Sequence, residues 1–389
     1  MARQRRFLIA SWAGGGNTPP AFNLGTRLVR RGHRVRIVGW PSMAQQAPNS
    51  EVEFAPYRSM RPWPEDLSLD DGWEGVKRLL RGAGTRDDIV AEAGAFGADA
   101  LVVDCMMGAA FAARALLGLP AAVLTHVLYS AYASSGWGDE LLEGSMDELF
   151  GATDSVLALT APGFDSPVRL PSNTAYVGPI AHPDSGRRSD ALLRADLEII
   201  NRPGDPWVLL SLSSTVQGQA EALPGILAAL EPLRVRVLLT LAGVLPVAAI
   251  AAPANVTVRA YLPHDMVLPR MAAVISHAGL STVTATLEAG LPIVCIPQGR
   301  DQHLNAARVE ACGVGRVVDA EATSTGLAGA VDAVLRDEAI RAAARRLAAE
   351  IAALGHGEQA TDRVERIGLA PPVGVEPTTV ELEARCSIR

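Results

Sequence analysis

Short apolar runs alternate along this chain with longer segments that have the apolar spacing of helices. The runs are typical of buried strands, and they cover residues 6–11, 34–39, 98–104, 121–126, 207–211, 235–240, 256–261, 273–275, 292–297 and 314–318. Helical patterns separate many neighbouring runs, at 21–31, 109–117, 220–230 and 280–289 among others. Because strands that are joined through helices run in the same direction, this alternation predicts an α/β protein with parallel sheets.

Proline, glycine and charged residues interrupt the pattern between residues 181 and 206. Such punctuation is typical of a linker. We therefore predict an N-terminal domain at 1–185, a linker at 186–206 and a C-terminal domain at 207–369. Residues 370–389 contain three prolines and no periodic pattern, so we expect them to form a loosely held tail.

The most informative segment is residues 274–302, VISHAGLSTVTATLEAGLPIVCIPQGRDQ. Its pattern predicts a short strand, a turn at Gly279, a helix and a second strand, with His277, Ser281 and Thr282 around the helix start. Free N–H groups and about half a positive charge collect at such a helix terminus. The segment therefore predicts an anion site suited to a phosphate or diphosphate. Its plainer interpretation is a βαβ unit in which His277 caps the helix.

The loop after the second strand adds polar groups of a different kind. Asp301 offers an acceptor and Gln302 offers both a donor and an acceptor, a combination that suits sugar hydroxyls. Loops at the carboxyl ends of neighbouring parallel strands face the same crevice. The two loops together therefore predict a site for a nucleoside diphosphate joined to a sugar.

Composition excludes several other classes of partner. The chain has 389 residues, a formal net charge of −7 and a pI near 5.6, which argues against nucleic acid. No uncharged apolar stretch reaches about 20 residues, the length of a membrane span. The four cysteines have no metal or disulfide spacing, so reduced thiols in a cytoplasmic protein are expected. The sequence leaves the oligomeric state open, a homodimer included.

Three motifs in the C-terminal half resemble the donor-binding signature of nucleotide-sugar-dependent glycosyltransferases of the GT-B type. They are HAGLST at 277–282, GLP at 290–292 and PQGRDQ at 297–302, followed by Asn305. More narrowly, the chain resembles actinobacterial enzymes that attach deoxysugars to antibiotics and other natural products. The resemblance implies two Rossmann-like βαβ domains that face each other across a cleft. It also implies a nucleotide sugar as co-substrate and no further cofactor.

The resemblance also assigns donor-binding residues. In that family the histidine of the HAG motif, the hydroxyls after it and the helix terminus hold the diphosphate. The matching positions are His277, Gly279, Ser281 and Thr282, and Ser213 and Ser214 match positions that contact phosphate or sugar. Fixed donors at that place lower the barrier by stabilising the charge that develops on the leaving phosphate. No DxD-type metal motif is evident, and the resemblance implies that no metal is needed.

Tyr261 and Leu262 resemble the segment with which the family holds the nucleotide base. There an aromatic ring stacks on the base and the next peptide group pairs with it. Tyr261 also ends a predicted strand, so a place in the core is the alternative. Ala285 stands where plant relatives have a glutamate that binds the ribose. This difference weakens the case for UDP and favours a dTDP-sugar.

The chain departs from the family at the catalytic base. Inverting members use a histidine in the first loop, oriented by an aspartate at a later strand end, and these two positions hold Asn17 and Asp104. An asparagine cannot take a proton at neutral pH. Three explanations stay open: an acceptor that is itself ionised or strongly nucleophilic, Asp104 as the base with a pKa raised by burial, or another histidine such as His126. We favour the first two.

Two segments supply candidates for the acceptor pocket. His126, Tyr129 and Trp137 lie at or after a strand end, and aromatic residues between 50 and 95 either line the pocket or cover the sheet. The predicted function is an inverting transfer of a sugar from a dTDP-sugar to a small hydrophobic aglycone. The alternatives are a catalytically silent homologue that binds nucleotide sugar or a partner protein, and a two-domain nucleotide-sugar epimerase.

Overall fold

The computed structural model describes residues 3–49, 51–59, 72–166, 169–184, 191–213, 215, 218–319, 323–367 and 369. The strands in this part of the chain form two sheets, and their neighbours pair in parallel. The predicted α/β class with parallel sheets is therefore confirmed.

Seven strands form the first sheet: β1 (Arg6–Ala10), β2 (Arg34–Gly39), β3 (Glu53–Pro56), β4 (Ala100–Asp104), β5 (Ala121–Thr125), β6 (Ser155–Ala158) and β7 (Thr174–Tyr176). The helices around it are α1 (Thr18–Arg30), α2 (Trp73–Arg81), α3 (Ala83–Phe96), α4 (Gly108–Leu117), α5 (Tyr129–Ser135), α6 (Trp137–Leu142) and α7 (Met146–Gly151). The strands lie in the order β3-β2-β1-β4-β5-β6-β7. β4 and β5 are buried along their whole length, which explains their continuous apolar runs.

Six strands form the second sheet: β8 (Trp207–Ser211), β9 (Arg236–Thr240), β10 (Val256–Arg259), β11 (Ala273–Ser276), β12 (Ile293–Cys295) and β13 (Gly315–Val317). The remaining helices are α8 (Ala191–Ile200), α9 (Gln219–Leu230), α10 (His264–Val267), α11 (Leu280–Glu288), α12 (Gln302–Ala311), α13 (Thr323–Arg336), α14 (Glu338–Ala353) and α15 (Glu358–Arg366). The strands lie in the order β10-β9-β8-β11-β12-β13. None of the helices described is long and apolar enough to cross a bilayer.

Each sheet has one point at which the order of its strands reverses. In the first sheet this point lies between β1 and β4, and in the second it lies between β8 and β11. Ligands of open α/β sheets bind at the carboxyl ends of the strands beside such a switch point. The loops that follow these four strands are therefore the places at which a site is expected.

Much of the predicted linker is a helix that packs on the second sheet. Leu193 and Ile200 of α8 are buried, and the Trp207 indole donates to the Ile200 carbonyl at 2.9 Å. Asp196 of α8 also forms an ion pair with Arg259 of β10. Residues 185–190 lie outside the part described, so the exact domain bounds stay a prediction.

The last helix, α15, returns to the first half of the molecule. Val364 belongs to the apolar core around the first sheet. Arg31, just after α1, forms ion pairs with Asp362 and Glu365 of α15. The predicted second domain therefore ends with a helix that packs on the first. The expected loose tail at 370–389 lies outside the described residues.

Candidate active site between the two sheets

A cavity of about 700 Å³ lies between the carboxyl ends of the two sheets. Its wall includes residues from the loops after β1, β4 and β5 and from the loops after β8, β11 and β12. Both switch points therefore open onto one space. The two halves approach closely there, because a Cβ added to Gly16 would lie 2.9 Å from the Ser281 hydroxyl.

The loop between β11 and α11 holds a helix terminus against this cavity. Ala278 has a left-handed φ of +68°, and Asn305 Nδ2 donates to its carbonyl at 2.9 Å. The Ser276 hydroxyl accepts from the Ala278 N–H at 3.2 Å. Ser281 and Thr282, on the first turn of α11, line the cavity. The positive end of the α11 dipole therefore points to this space, as expected for an anion site, and the phosphate contacts themselves stay a prediction.

Position 279 requires a glycine because the His277 imidazole leaves no room for a side chain there. Its φ is −62°, which any residue can adopt, but an added Cβ would lie 2.4 Å from His277 Nε2. The imidazole is therefore packed directly against the start of α11, and both residues line the cavity. A single methyl group at Gly279 would displace the ring.

His277 is neutral at physiological pH. Its side chain is buried, and this burial lowers its pKa to about 4, although a hydrogen bond with the Ser211 backbone opposes the shift. The positive charge of Arg300 lowers the pKa further. A neutral imidazole can donate a hydrogen bond to a phosphate oxygen, but it brings no charge.

Arg300 brings the charge that His277 lacks. Among the described residues of the cavity wall, it is the one lysine or arginine. It has a φ of +55°, and its Nη1 donates to the Thr215 hydroxyl at 3.1 Å. Sequence analysis missed this residue, although an arginine within PQGRDQ, in a chain of net charge −7, was a clue.

Asp301 and Gln302 line the cavity beside Arg300. Asp301 Oδ2 accepts from Asn305 at 2.9 Å, while Gln302 Oε1 accepts from the N–H groups of Gln298 and Gly299 at 2.8 and 3.2 Å. The Gln302 oxygen therefore braces the loop, which is a function that sequence analysis did not foresee. The predicted contacts of both residues with sugar hydroxyls remain predictions.

The loop after β8 contributes hydroxyl groups. Ser213 is buried at the cavity wall, and its hydroxyl lies 3.0 Å from that of Thr215. Thr215 in turn contacts Arg300, so the hydroxyls connect the loop after β8 with the loop after β12. Ser214, the other predicted contact, lies outside the described residues.

Tyr261 is a surface residue of the cavity and does not belong to the core. It follows β10, 65% of its area is exposed, and it lines the cavity together with the buried Leu262. The alternative of a packed strand residue is therefore wrong. The ring is free to stack on a base, and that role stays a prediction.

On the opposite side, the buried Asp104 lies behind the cavity wall, between Asn17 and His126, which both line the cavity. Asn17 Nδ2 donates to Asp104 Oδ2 at 2.9 Å, and His126 Nε2 lies 3.1 Å from Asp104 Oδ1. Asn17 Nδ2 also donates to the Trp12 carbonyl at 2.8 Å. From the sequence, Asn17 and Asp104 were predicted as the catalytic positions, while His126 was placed in the acceptor pocket and left open as an alternative base. The structure brings all three together.

The expectation that burial raises the pKa of Asp104 is wrong. Asp104 is 2% exposed, and burial alone would raise its pKa, but hydrogen bonds and charge from neighbouring groups outweigh that effect and lower the pKa. His126 contributes most, followed by Asn17 and by the Met106 N–H, which donates at 3.0 Å. Asp104 therefore stays a carboxylate and is a poor base.

Asp104, Cys105 and His126 each present an atom that could bind a cation, and these atoms lie within 4.8 Å of one another. They form one such group among the described residues. The expectation that the protein needs no metal therefore stays a prediction, which chelation can test.

Tyr129 does not line the cavity, in contrast to our expectation. Its ring is buried against Phe150, and its hydroxyl donates to Asp147. Tyr132, one turn further along α5, lines the cavity in its place. The side chain of Trp137, the third acceptor-pocket candidate, lies outside what is described.

Other apolar residues of this wall were not assigned from the sequence. Trp12 follows β1, Met106 follows β4, and Trp73 begins α2, and all three line the cavity. Trp73 belongs to the segment at 50–95 for which two interpretations were open, and the structure places it both at the cavity and against the core, so its contact with an acceptor stays a prediction. The strand-end positions of Trp12 and Met106 were the available clue.

Comparisons with known proteins agree with this geometry. Residues 226–366 match the family model described as "Erythromycin biosynthesis protein CIII-like, C-terminal domain". A PGL/p-HBAD biosynthesis glycosyltransferase of Mycobacterium tuberculosis (strain ATCC 25177 / H37Ra) is 32% identical over 219 residues. That alignment covers 56% of this chain and 47% of the relative, so the chain spans about half the length of this curated relative.

A longer alignment joins the chain to 4'-demethylrebeccamycin synthase of Lentzea aerocolonigenes, at 25% identity over 92% of this chain and 99% of the relative. Among solved structures, the calicheamicin glycosyltransferase CalG4 has a TM-score of 0.75 at 22% identity, covering 95% of this chain and 100% of that one. The glycosyltransferase VinC, solved with dTDP, has a TM-score of 0.69 at 18% identity, covering 93% and 99%. The GT-B fold and the resemblance to natural-product glycosyltransferases are therefore confirmed.

Proposed function

We propose that this chain, whose residues 226–366 match the family model for erythromycin-biosynthesis-protein-CIII-like C-terminal domains, is a glycosyltransferase. It moves a hexose or deoxyhexose from a dTDP-sugar to a small hydrophobic natural-product aglycone, with inversion at the anomeric carbon. The observation that carries the proposal is the shared cavity. One of its walls holds a helix terminus and an arginine, and the other holds aromatic residues and a His–Asp pair.

The second-sheet wall is suited to a diphosphate that must leave with negative charge. The first turn of α11, a neutral His277 and the Arg300 guanidinium border the same part of the cavity. When the bond between the sugar and the diphosphate breaks, charge builds on the phosphate oxygens. Preorganised donors in a water-poor site stabilise that charge, and one such donor is typically worth about 3 kcal/mol.

A thymidine nucleotide is favoured over a uridine nucleotide by the ribose side of the site. Ala285 cannot accept a hydrogen bond from a ribose 2'-hydroxyl. Glu288, the next acidic residue on α11, instead pairs with His356 and is not part of the cavity wall. The deoxyribose of a dTDP-sugar has no 2'-hydroxyl to satisfy. The dTDP that is bound to VinC supports the same choice.

The first-sheet wall is suited to an apolar acceptor. Trp12, Trp73, Met106 and Tyr132 present large side chains there, and the polar groups among them are concentrated around Asp104. A flat aromatic aglycone would bury its rings on these side chains and direct one hydroxyl to the polar group. Direct attack from this wall on a sugar held at the other wall inverts the anomeric centre.

Calorimetric titration tests the donor part of this proposal. We expect dTDP to bind more tightly than UDP, and His277→Ala to weaken dTDP binding about 100-fold because a phosphate donor is lost. His303→Ala, an exposed histidine on α12, is the matched control and should bind as the wild type does. Failure of the wild type to bind either nucleotide would contradict the proposal.

Transfer must then be measured separately from binding. Incubation of the protein and dTDP-glucose with aromatic alcohols should give glycosides of inverted configuration. Tight dTDP binding without any transfer would favour a catalytically silent homologue instead. Epimerisation of the donor in the absence of an acceptor would favour an epimerase.

We also place the protein in the cytoplasm. Cys105 and Cys295 are buried free thiols, as expected in a reducing compartment. A homodimer stays a prediction.

A further inference from the structure

We infer that His126 removes the proton from the acceptor, with Asp104 and Asn17 as its positioning residues. This inference rests on the proposed function and assigns the base that the first loop lacks. The histidine is supplied by the end of β5 and contacts the same aspartate from its other side. The His–Asp pair is thus retained, and the strand that provides its histidine has changed.

The hydrogen bonds around Asp104 leave it no role as the base. Oδ2 accepts from Asn17, while Oδ1 accepts from the Met106 N–H and faces His126 Nε2. A carboxylate that accepts from several donors is stabilised in its charged form. Asp104 is therefore suited to orient an imidazole and to stabilise its cation, as the aspartate of a Ser-His-Asp triad does.

Asn17 is equally fixed in a role other than proton transfer. Its amide nitrogen donates to Asp104 and to the Trp12 carbonyl, and its amide oxygen accepts from the Gly14 N–H at 3.1 Å. The contacts with Trp12 and Gly14 lie within the loop after β1, and the contact with Asp104 holds this loop against the end of β4. Asn17 therefore positions the carboxylate that His126 needs.

His126 has the access that a base requires. Its side chain is 12% exposed and belongs to the cavity wall, beside Val127 and on the same wall as Tyr132. If Nε2–H donates to Asp104, the lone pair of the neutral ring lies on Nδ1. In this tautomer, Nδ1 is the nitrogen that can take a proton from an acceptor hydroxyl.

The electrostatic surroundings strengthen this base. Burial opposes the cationic form of His126, but the Asp104 carboxylate and the Cys105 side chain raise its pKa well above the usual value. The cationic ring is therefore stabilised after proton transfer, and the neutral form that accepts the proton is populated as the pH rises above this raised pKa.

The proposed step is balanced within the site. The acceptor O–H bond breaks and its proton passes to His126 Nδ1. The freed oxygen pair forms the bond to the anomeric carbon, and the carbon–oxygen bond to the diphosphate breaks with its electrons leaving on dTDP. His126 then returns the proton to water, so no oxidant, reductant or metal enters the step.

The test compares acceptors that differ in their need for a base. The probes are 4-nitrophenol, 4-methylumbelliferone and 2-naphthol, in order of decreasing acidity, with dTDP-glucose as donor. We expect His126→Asn to lower kcat about 100-fold or more on 2-naphthol, and much less on 4-nitrophenol, which ionises readily by itself. His126→Gln, which can still donate to Asp104, should behave alike and provides a second variant should the first fail to fold. His303→Asn is the matched control.

A double variant asks whether the two positions are interchangeable. Asn17→His combined with His126→Asn returns the histidine to the first loop, and we expect it to recover much of the transfer to 2-naphthol. The wild-type rate on this probe should rise with pH through a pKa above that of an ordinary histidine, and His126→Asn should remove this dependence. Binding of dTDP should stay unchanged in every variant.

Several results would overturn the inference. Equal losses on all three probes, or no loss on any, would exclude His126 as the base. If a chelator abolished the transfer activity of the wild type and added Zn²⁺ restored it, Asp104, Cys105 and His126 would be assigned as metal ligands instead. If the wild type binds dTDP but transfers to none of the probes, the proposed function fails and the inference falls with it.

Discussion

The two walls of the cavity are built in different ways. On the second-sheet wall, the groups suited to a diphosphate lie within residues 276–305, where one loop braces the next through Asn305 and Gln302. The first-sheet wall joins Asn17, Asp104 and His126, which lie at the ends of separate elements. A site made from one continuous segment keeps its geometry through local contacts, whereas a site made from several strand ends can exchange its members. In this chain the continuous segment matches the donor-binding signature described above, whereas the site at the strand ends departs from the family at Asn17.

The walls also differ in charge. The second-sheet wall has a neutral histidine, a helix terminus and Arg300, so it favours a negative ligand. The first-sheet wall has a charged Asp104 whose interaction with His126 raises the histidine's pKa. Substitutions on the second-sheet wall should therefore affect nucleotide binding, and substitutions on the first-sheet wall should affect turnover.

The largest effect is expected from Asp104→Asn. The variant should keep its dTDP affinity but lose about 10³–10⁴-fold in kcat, because a neutral amide neither fixes the histidine tautomer nor stabilises the imidazolium. Steady-state kinetics with 2-naphthol, together with dTDP titration, measure this separation. Asp99→Asn, at the other end of β4, is the control. Unchanged turnover would exclude Asp104 from catalysis, and loss of dTDP binding would show that the walls are not independent.

Gly279→Ala should give the next largest effect, on the opposite wall. The new methyl group would lie 2.4 Å from His277 Nε2 and would push the ring away from the start of α11. We expect dTDP affinity to fall about 100-fold, the loss of roughly one good phosphate donor. Gly329→Ala on α13, where an added Cβ meets nothing within 4 Å, should bind normally. Wild-type affinity in Gly279→Ala would mean that His277 does not contact the nucleotide.

Arg300→Ala should separate phosphate binding from base binding. We expect dTDP to bind about 30-fold more weakly, because a charge-assisted hydrogen bond is worth roughly 2 kcal/mol, and thymidine to bind as before. Arg316→Ala, on β13 and paired with Asp337, is the matched control. An equal loss for thymidine and dTDP would show that Arg300 acts on the fold of the site instead of on the diphosphate.

The smallest effect concerns stability at low pH. The pKa of His277 is about 4 in the folded protein and about 6.5 when unfolded, so the unfolded state takes up a proton first as the pH falls. Stability should therefore fall as the pH is lowered through 6.5, and this residue should account for a loss of about 1 kcal/mol between pH 6.5 and pH 5.5. Urea unfolding of the wild type and His277→Gln at both pH values measures the difference. A loss that is equal in the two proteins would contradict the assignment.

The sequence predicted the helix terminus on the second-sheet wall because the information for it is local. His277, Ser281 and Thr282 follow a strand and begin a helix, a pattern that is visible in consecutive residues. The pairing of Asp104 with His126 depends on the neighbouring positions of β4 and β5, which no single segment contains. The pKa of Asp104 could not be predicted for the same reason, because its donors come from Asn17, Met106 and His126.

The direction in which a side chain points was the second property that the sequence could not predict. Tyr129 and Tyr132 lie one turn apart in α5, yet Tyr129 packs against Phe150 and Tyr132 lines the cavity. The rotation of a short helix decides between them, and the sequence does not fix it. Likewise, α8 was taken as linker because Pro203 and Gly204 nearby mask its helical pattern.

The return of α15 to the first sheet bears on how such proteins can be recombined. A chimera made by a single exchange near residue 206 would combine α1 of one parent with α15 of another. The ion pairs of Arg31 and the packing of Val364 would then join residues that were not selected together. Exchange of a whole nucleotide-binding module therefore requires two crossover points, the second before Glu358. The α15 helix then comes from the same parent as the α1 helix that it contacts.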